Sequence, residues 1–481
     1  MINYLFPVPK HLLHNYYNTF GHLPITMSKK KPSSPNARTA ALKTLCQWAE
    51  QKKTISPIMD KLLEPLPAND RRLCGKLIMG TLRNMGQLDH IITGYSKHPL
   101  AKMKITTLMA LRLAVFQLLF LDRIPPSAAV NETVLSLKAQ RQPQWLLNFV
   151  NGVLRRISSE IDIIRAQKTI ADDYDFNHPS WMVTRWNRYF GQQLSKEICL
   201  ANNQEPKLCL RVNTKKISQI ELQNIFIDSQ IETKKGSFAP DALIIYSNIG
   251  SPTLLPGFKD SLFQVQGEAA QLASFLMGPF TGNKTYLDGC AGLGGKTSHL
   301  IQLIKNVSLT AIEPDSYRFK LLKENLTKTP NGNSVETVNL PLEEFANSTS
   351  KQFDAILLDA PCSGTGVIGK HPEIRWNRQE SDLKRYQSEQ LKLLQVASSL
   401  LNEGGIIVYA TCSLEPEENE EVIERFLTDA PQFITTPCHD YLPSKAKDLV
   451  DEKGFFRSNQ GLGLEGFFAA RLQKICTDRE K

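Results

Sequence analysis

The chain has 481 residues, 41% of them hydrophobic and 22% charged. This composition describes a globular protein with material for several cores and excludes a fibrous or low-complexity chain. The net charge of +9 is unevenly placed: residues 1–160 hold 22 Lys and Arg against 8 Asp and Glu, and the remainder is mildly acidic. A basic N-terminal third fits a polyanion-binding appendage, although a solvated helical face accounts for the charge equally well. Nine cysteines without a C-x-x-C pair argue against structural zinc and against a secreted disulfide framework. No metal is expected, and a reducing cytoplasm fits best.

Residues 1–35 are expected to be a disordered arm or an over-extended start. The first 26 lack the continuous apolar stretch of a signal peptide, and Met27 offers a second start before a polar run. From 36 to 158 the pattern is helical throughout. Ala37, Ala40, Ala41, Leu45 and Trp48 recur at helical spacing, and further helices are expected over 71–92, 105–121, 127–140 and 144–157. Short breaks between them predict a compact all-α bundle. The apolar run 105–121 is short for a membrane span and carries Arg112 and Gln117, so it reads as a buried core helix and no membrane partner is expected.

Residues 159–262 read as a helical connector and a small α/β module. A helix starts at Trp181, strands fall at 208–212 and 242–246, and a helix lies near 217–228. From 263 to 475, short apolar runs at 285–288, 309–313, 335–339, 355–359 and 406–409 mostly alternate with helical segments. Such alternation predicts a mostly parallel, doubly wound, Rossmann-like sheet.

Chemistry concentrates at the ends of these strands. The run Asp288 to Thr297 follows a strand and opens a helix, and Gly292, Gly294 and Gly295 allow a tight turn close to a ligand. It lacks the spacing of a phosphate-binding Walker loop, and glycines alone are weak evidence. Glu313 ends the next strand, where an acid can bind both ribose hydroxyls. Together they predict an adenosine-cofactor site, with ordinary loop glycines as the competing explanation.

Asp359-Ala360-Pro361-Cys362 closes a third strand and Ala410-Thr411-Cys412-Ser413 a fourth. Two cysteines at the ends of two strands of one sheet can face one substrate. Singly, each is more often inert core than nucleophile. Asp359 alters that balance for a chemical reason. Carbon 5 of cytosine is too poor a nucleophile to take a methyl group directly, but a thiolate adding at carbon 6 creates an enamine nucleophilic at carbon 5. An acid near ring nitrogen 3 assists, and a base must later remove the carbon 5 proton.

With these motifs assembled, the chain resembles the RsmB (Fmu/Sun) family of ribosomal RNA cytosine-carbon-5 methyltransferases from about Ala37 to Leu472. The helices resemble the NusB-type RNA-binding fold in LRLAVFQLLFLDRIPPSAAVNETV and WLLNFVNGVLRR. DAPCSGTGVIGKHPEIRW (359–376), ATCSLEPEEN (410–419) and GFFAARL (466–472) resemble the catalytic domain. The resemblance implies Cys412 as nucleophile, Cys362 as the cysteine assisting breakdown of the covalent intermediate, and Asp359 as the acid on the cytosine and cofactor side. It implies S-adenosyl-L-methionine held by Cys290, Ala291, Gly292, Leu293, Gly294, Gly295, Lys296, Glu313 and Asp359. The family's third cofactor acid falls near Asn339, which is no carboxylate, and Gly267 replaces another usual acid. The usual Ala-Ala-Pro-Gly-Gly-Lys becomes Ala291 to Lys296 with Leu293 in the middle, closer to the general methyltransferase turn.

The expected function is therefore methylation of a 16S ribosomal RNA cytosine by a monomer. Transfer RNA is the alternative substrate by the same chemistry, since a NusB-like bundle favours ribosomal RNA by analogy only. A non-catalytic RNA-binding assembly factor is the alternative from another class, motivated by the altered cofactor positions.

Overall fold

A computed structural model describes residues 36–166, 177–247, 249–280, 283–306 and 308–475. The arm expected over 1–35, with Met27, lies outside the described residues. The expected organisation of helical bundle, small α/β connector and Rossmann-like domain is the one observed.

The bundle comprises α1 (Ala37–Gln51), α2 (Ser56–Leu63), α3 (Ala68–Arg83), α4 (Met85–Tyr95), α5 (Ile105–Phe120), α6 (Pro126–Ala139), α7 (Gln144–Ser159) and α8 (Ile161–Ala166). Asn36 caps α1 by accepting from the Thr39 amide at 2.8 Å, satisfying one of the free amides of the first turn. The expected 71–92 helix is two helices, broken at Asn84, whose side chain donates to the Gly80 carbonyl at 2.8 Å. Helix α5 is the apolar run, and it is buried along most of its length. Its polar residues are satisfied inside the bundle: Arg112 forks onto Asp89 with two bonds of 2.6 Å, and Gln117 accepts from Arg38 at 2.7 Å. Among the described residues no helix is long and apolar enough to cross a membrane.

Helix α9 (Ser180–Asn203) leads into the connector, whose four antiparallel strands lie in the order β2-β3-β1-β4. These are β1 (Leu208–Val212), β2 (Thr233–Lys235), β3 (Ala242–Ile245) and β4 (Phe263–Val265), with α10 (Gln219–Asp228) between the first two. Ser218 and Glu221 form a reciprocal capping box at the start of α10. Strand β4 pairs with Leu210 to Val212 of β1 and buries Phe263 in the connector core, so the connector sheet runs past 262.

After α11 (Glu268–Phe275), the catalytic domain carries an eight-stranded sheet. Strands β5 (Tyr286–Asp288), β6 (Leu309–Ile312), β7 (Glu336–Val338), β8 (Phe353–Asp359) and β9 (Leu401–Thr411) are mutually parallel. Strands β10 (Phe433–Thr436), β11 (Phe456–Ser458) and β12 (Phe467–Lys474) extend it antiparallel beyond β9. Between them run α12 (Gly295–Leu303), α13 (Ser316–Thr327), α14 (Leu342–Ser348), α15 (Ile374–Asn377), α16 (Asp382–Ser399) and α17 (Glu420–Asp429). Successive residues of one strand enter opposite cores: Tyr286, Leu357 and Val408 face one, and Leu287, Leu358 and Tyr409 the other. Both faces being covered explains why these strands read as unbroken apolar runs.

The three parts are tied at one buried side chain. Arg375 of α15 donates to the carbonyls of Arg83 (2.7 Å), Asn177 (3.0 Å) and Asn202 (2.6 Å), and to Asn203 Oδ1 (3.0 Å). Next to it, Trp376 donates to Leu82 O at 2.9 Å.

Candidate active site

The carboxyl ends of β5, β6, β8 and β9 meet at one rim, as expected of ligand sites in open α/β sheets. The glycine turn lies there between β5 and α12. Gly292 (φ +56°) and Gly294 (φ +85°) occupy left-handed backbone, where side chains are strained. A Cβ on Gly292 would meet nothing within 4 Å, so open space lies above the turn. Leu293 is half exposed, and its carbonyl accepts from Asn325 at 2.9 Å. The Ala291 amide donates to Ile312 O at 2.9 Å, binding the turn to β6.

The connector braces this turn from below. Arg211 on β1 is buried and donates to Gly295 O (2.8 Å), Ser298 Oγ (2.8 Å) and Gln302 Oε1 (2.8 Å) on α12. Burial pushes its pKa down to about 9, against the opposing charge of Asp241.

Three carboxylates converge on the rim. Asp288 is buried and accepts from Thr297 Oγ1 at 2.7 Å; burial raises its pKa to about 6. Glu313 follows β6 and accepts from the Asp315 amide at 2.8 Å. Asp359 ends β8 and accepts from Lys296 at 2.6 Å. All three push up the Cys290 thiol, after burial as the larger cause. Burial alone would lower the Lys296 ammonium, but Asp359, followed by Cys412 and Asp288, outweighs it and raises its pKa.

Asn339 reaches the rim without pointing its amide freely into it. Its Nδ2 donates to the carbonyls of Glu313 (2.8 Å) and Pro314 (3.1 Å), and its Oδ1 accepts from Ser316 at 3.2 Å. The side chain thus braces the loop carrying Glu313. At Gly267, a Cβ would collide with the Glu465 carboxylate, which pairs with Lys370. An acid from the approach to β12 occupies the space that a side chain at 267 would need.

The two predicted cysteines are brought together. Asp359 and Ala410 are register partners on β8 and β9, so the loops that follow run side by side. Cys362 and Cys412 place their sulfurs 3.3 Å apart. The Cys362 thiol is held well above its ordinary value, first by its hydrogen bond to Cys412, then by burial and by the charge on Cys412.

Sequence reasoning assigned no role to the group that fixes this pair. Glu418 is buried and accepts from the Ser363 amide at 2.8 Å and from Gln390 at 3.0 Å, and from the hydroxyls of Ser363 and Ser413. Each serine follows one of the cysteines, so one carboxylate knots both loops. Its own pKa is raised by burial, which outweighs these bonds. The available signal was its place in ATCSLEPEEN, where it reads as one of several exposed acids. Glu415 does similar work outward, accepting from Arg185 and Trp186 of α9 at 3.0 Å each.

Comparison with known proteins gives this arrangement a family. The model described as 16S rRNA methyltransferase RsmB/F matches residues 276–473. The NusB family matches 35–159, and a ferredoxin-like domain of RsmF/B-like methyltransferases matches 178–250. Ribosomal RNA small subunit methyltransferase B of Proteus mirabilis is 33% identical over 415 residues, covering 86% of this chain and 96% of the relative. The chain belongs to the ribosomal RNA small subunit methyltransferase B family. The Yersinia enterocolitica member is 34% identical over 394 residues, 82% of this chain and 90% of its own length. Among solved structures, PH0851 superposes with a TM-score of 0.76 at 25% identity, covering 92% of this chain and 99% of that one. NSun6 from Pyrococcus horikoshii, solved with SFG, shares the fold at a TM-score of 0.54 and 18% identity, over 62% of this chain and 98% of its own. The helical, connector and catalytic parts read from the sequence are thus the NusB, ferredoxin-like and methyltransferase domains of this family.

Proposed function

We propose that this protein transfers a methyl group from S-adenosyl-L-methionine to carbon 5 of a cytosine in 16S ribosomal RNA, with Cys412 as covalent nucleophile. The observation that carries the reading is the sulfur pair of Cys362 and Cys412 beside the Lys296–Asp359 ion pair. The names of the RsmB relatives support ribosomal RNA as substrate.

The rim fits the cofactor. Open space over Gly292 admits a ligand against the backbone, Glu313 suits the ribose hydroxyls, and Asp288 and Asp359 bring negative charge suited to a sulfonium. Residues 290–296 would complete the cradle, and Asn339 acts through Glu313. When bound, the cofactor supplies an electrophilic methyl group.

The remaining chemistry belongs to the chain's own residues. Cys412 attacks as the thiolate, the form in which a cysteine is nucleophilic, close enough to Lys296 for its charge to be felt there. That thiolate adds to carbon 6 and the carbon 5–carbon 6 electron pair moves toward carbon 5, while Asp359, carrying a proton passed to it from Lys296, donates to ring nitrogen 3 and steadies the developing charge. Carbon 5 then takes the methyl group. Once the Cys412 sulfur is bonded to carbon, the hydrogen bond and the charge that hold up the Cys362 thiol are both lost. Burial and the Glu418 charge remain. Once its own proton has passed to solvent, Cys362 takes the carbon 5 proton, the carbon 5–carbon 6 double bond re-forms, and the carbon 6–sulfur bond breaks with its electron pair returning to Cys412.

Base-resolution bisulfite sequencing of RNA from a deletion strain tests substrate and product together. Loss of one 16S cytosine signal with transfer RNA unchanged is the expected result. Loss at a transfer RNA site, or at no site, overturns the reading.

A further inference from the structure

Two grooves outside the rim join into one track. The first, of about 420 Å³, lies between the connector and the catalytic domain and is walled by Tyr246, Lys207, Gly366 and Val367. The second, of about 710 Å³, lies between the bundle and the connector and is walled by Arg71, Arg72, Lys76, Phe120 and Leu254. Glu205, Pro206 and Lys370 line both, which makes the grooves continuous.

The lining is cationic with aromatic and apolar platforms between the charges. Tyr246 is exposed at the end of β3, with the ammonium groups of Lys207 and Lys234 4.0 and 4.9 Å from its ring centre. At the other end Phe120 and Leu254 are exposed, beside Arg72, which packs on the backbone at Gly250. The acids of the lining are occupied by the protein. Glu268 accepts from the amides of Phe238 and Ala239, Glu465 pairs with Lys370, and Glu205 faces Arg83. Positive charge alternating with ring faces is what a single strand requires, phosphates on the cations and unstacked bases on the aromatics. A duplex keeps its bases stacked and cannot use Tyr246.

We infer that this track binds the single-stranded RNA flanking the target base, with one flanking base stacked on Tyr246 and phosphates on Arg72, Lys76 and Lys207. The inference rests on the RNA methyltransferase reading above. The track touches the catalytic loop directly, since the Gly366 amide in its wall donates to the Cys412 carbonyl at 2.9 Å. RNA held there bears on the loop that carries the nucleophile.

The test is fluorescence anisotropy of the full chain with a labelled single strand of roughly 12 nucleotides and its duplex, across a salt series. Tyr246→Ala lowers single-strand affinity about tenfold and leaves duplex affinity unchanged. Arg72→Gln with Lys76→Gln lowers the slope of log affinity against log salt by about 1.4, the equivalent of two phosphates. Calorimetric S-adenosyl-L-methionine binding and melting temperature confirm that each variant is folded. Unchanged affinity and slope in folded variants overturn the track and leave the parent reading standing; a protein partner in the groove predicts that result. A wild-type chain that neither binds nor methylates RNA overturns both.

Discussion

The sulfurs of Cys362 and Cys412 lie 3.3 Å apart across 50 residues of sequence. In the proposed mechanism Cys412 attacks and Cys362 acts later, at release. Cys362→Ala should therefore still attack but fail to release. A covalent protein–RNA adduct should accumulate on a denaturing gel in the presence of cofactor. An adduct that needs Cys362 and forms without Cys412 would reverse the assignment.

Glu418 positions both cysteines through Ser363 and Ser413. Glu418→Ala leaves two hydroxyls, one amide and the Gln390 side chain without their buried acceptor, which costs about 3 kcal/mol of stability. The expected signature is a lowered melting temperature and a fall in kcat, with S-adenosyl-L-methionine affinity retained. A weakened cofactor affinity with normal kcat would place its role at the glycine turn instead.

Asp288 carries a pH signature. Its folded-state pKa rises from 3.8 to about 6 through burial. The folded chain therefore binds more protons than the unfolded chain between those values, and stability falls as pH rises through that window. The cost is complete above about pH 6 and amounts to roughly 3 kcal/mol at most. Asp288→Asn should flatten denaturant-derived stability between pH 4 and 6, windows taken as about these values. A pH slope that is the same in Asp288→Asn as in the wild type across that range would contradict this.

Arg375 holds α15 to the bundle through Arg83 O and to the α9 segment through three further oxygen acceptors. Arg375→Ala strands those acceptors, at a cost of about 3 kcal/mol. It should also split thermal unfolding into separate bundle and catalytic transitions in calorimetry. A single transition at the wild-type temperature would show that the arginine does not couple the two.

Much of this architecture was legible because the physics is local. The strand at 208–212 reads directly from LCLRV, and α5 from an apolar run whose interruptions, Arg112 and Gln117, turn out to have partners inside the bundle. Short strands escaped for opposite reasons. Thr233–Lys235 is charged and lies at a sheet edge, while Phe263–Val265 is apolar but pairs with the connector rather than the sheet it seems to introduce. The antiparallel β10, β11 and β12 follow no alternation with helices, so nothing in the βα pattern announces them. At the rim, the closeness of Asp359, Cys362 and Cys412 was legible because each lies at or just past the end of one of two strands of the same sheet. Glu418, Arg375 and Asn339 were not assigned these roles: each acts through backbone or side-chain groups distant in sequence, and spacing carries no trace of that.

The most direct test of the central claim is to react the full chain with S-adenosyl-L-methionine and target RNA containing 5-fluorocytidine. Fluorine at carbon 5 cannot be removed as a proton, so the covalent adduct cannot resolve. Digestion and mass spectrometry should place the nucleotide on the peptide containing Cys412, with no adduct in Cys412→Ala. A nucleotide on Cys362, or methylated product from Cys412→Ala on normal RNA, would contradict the account.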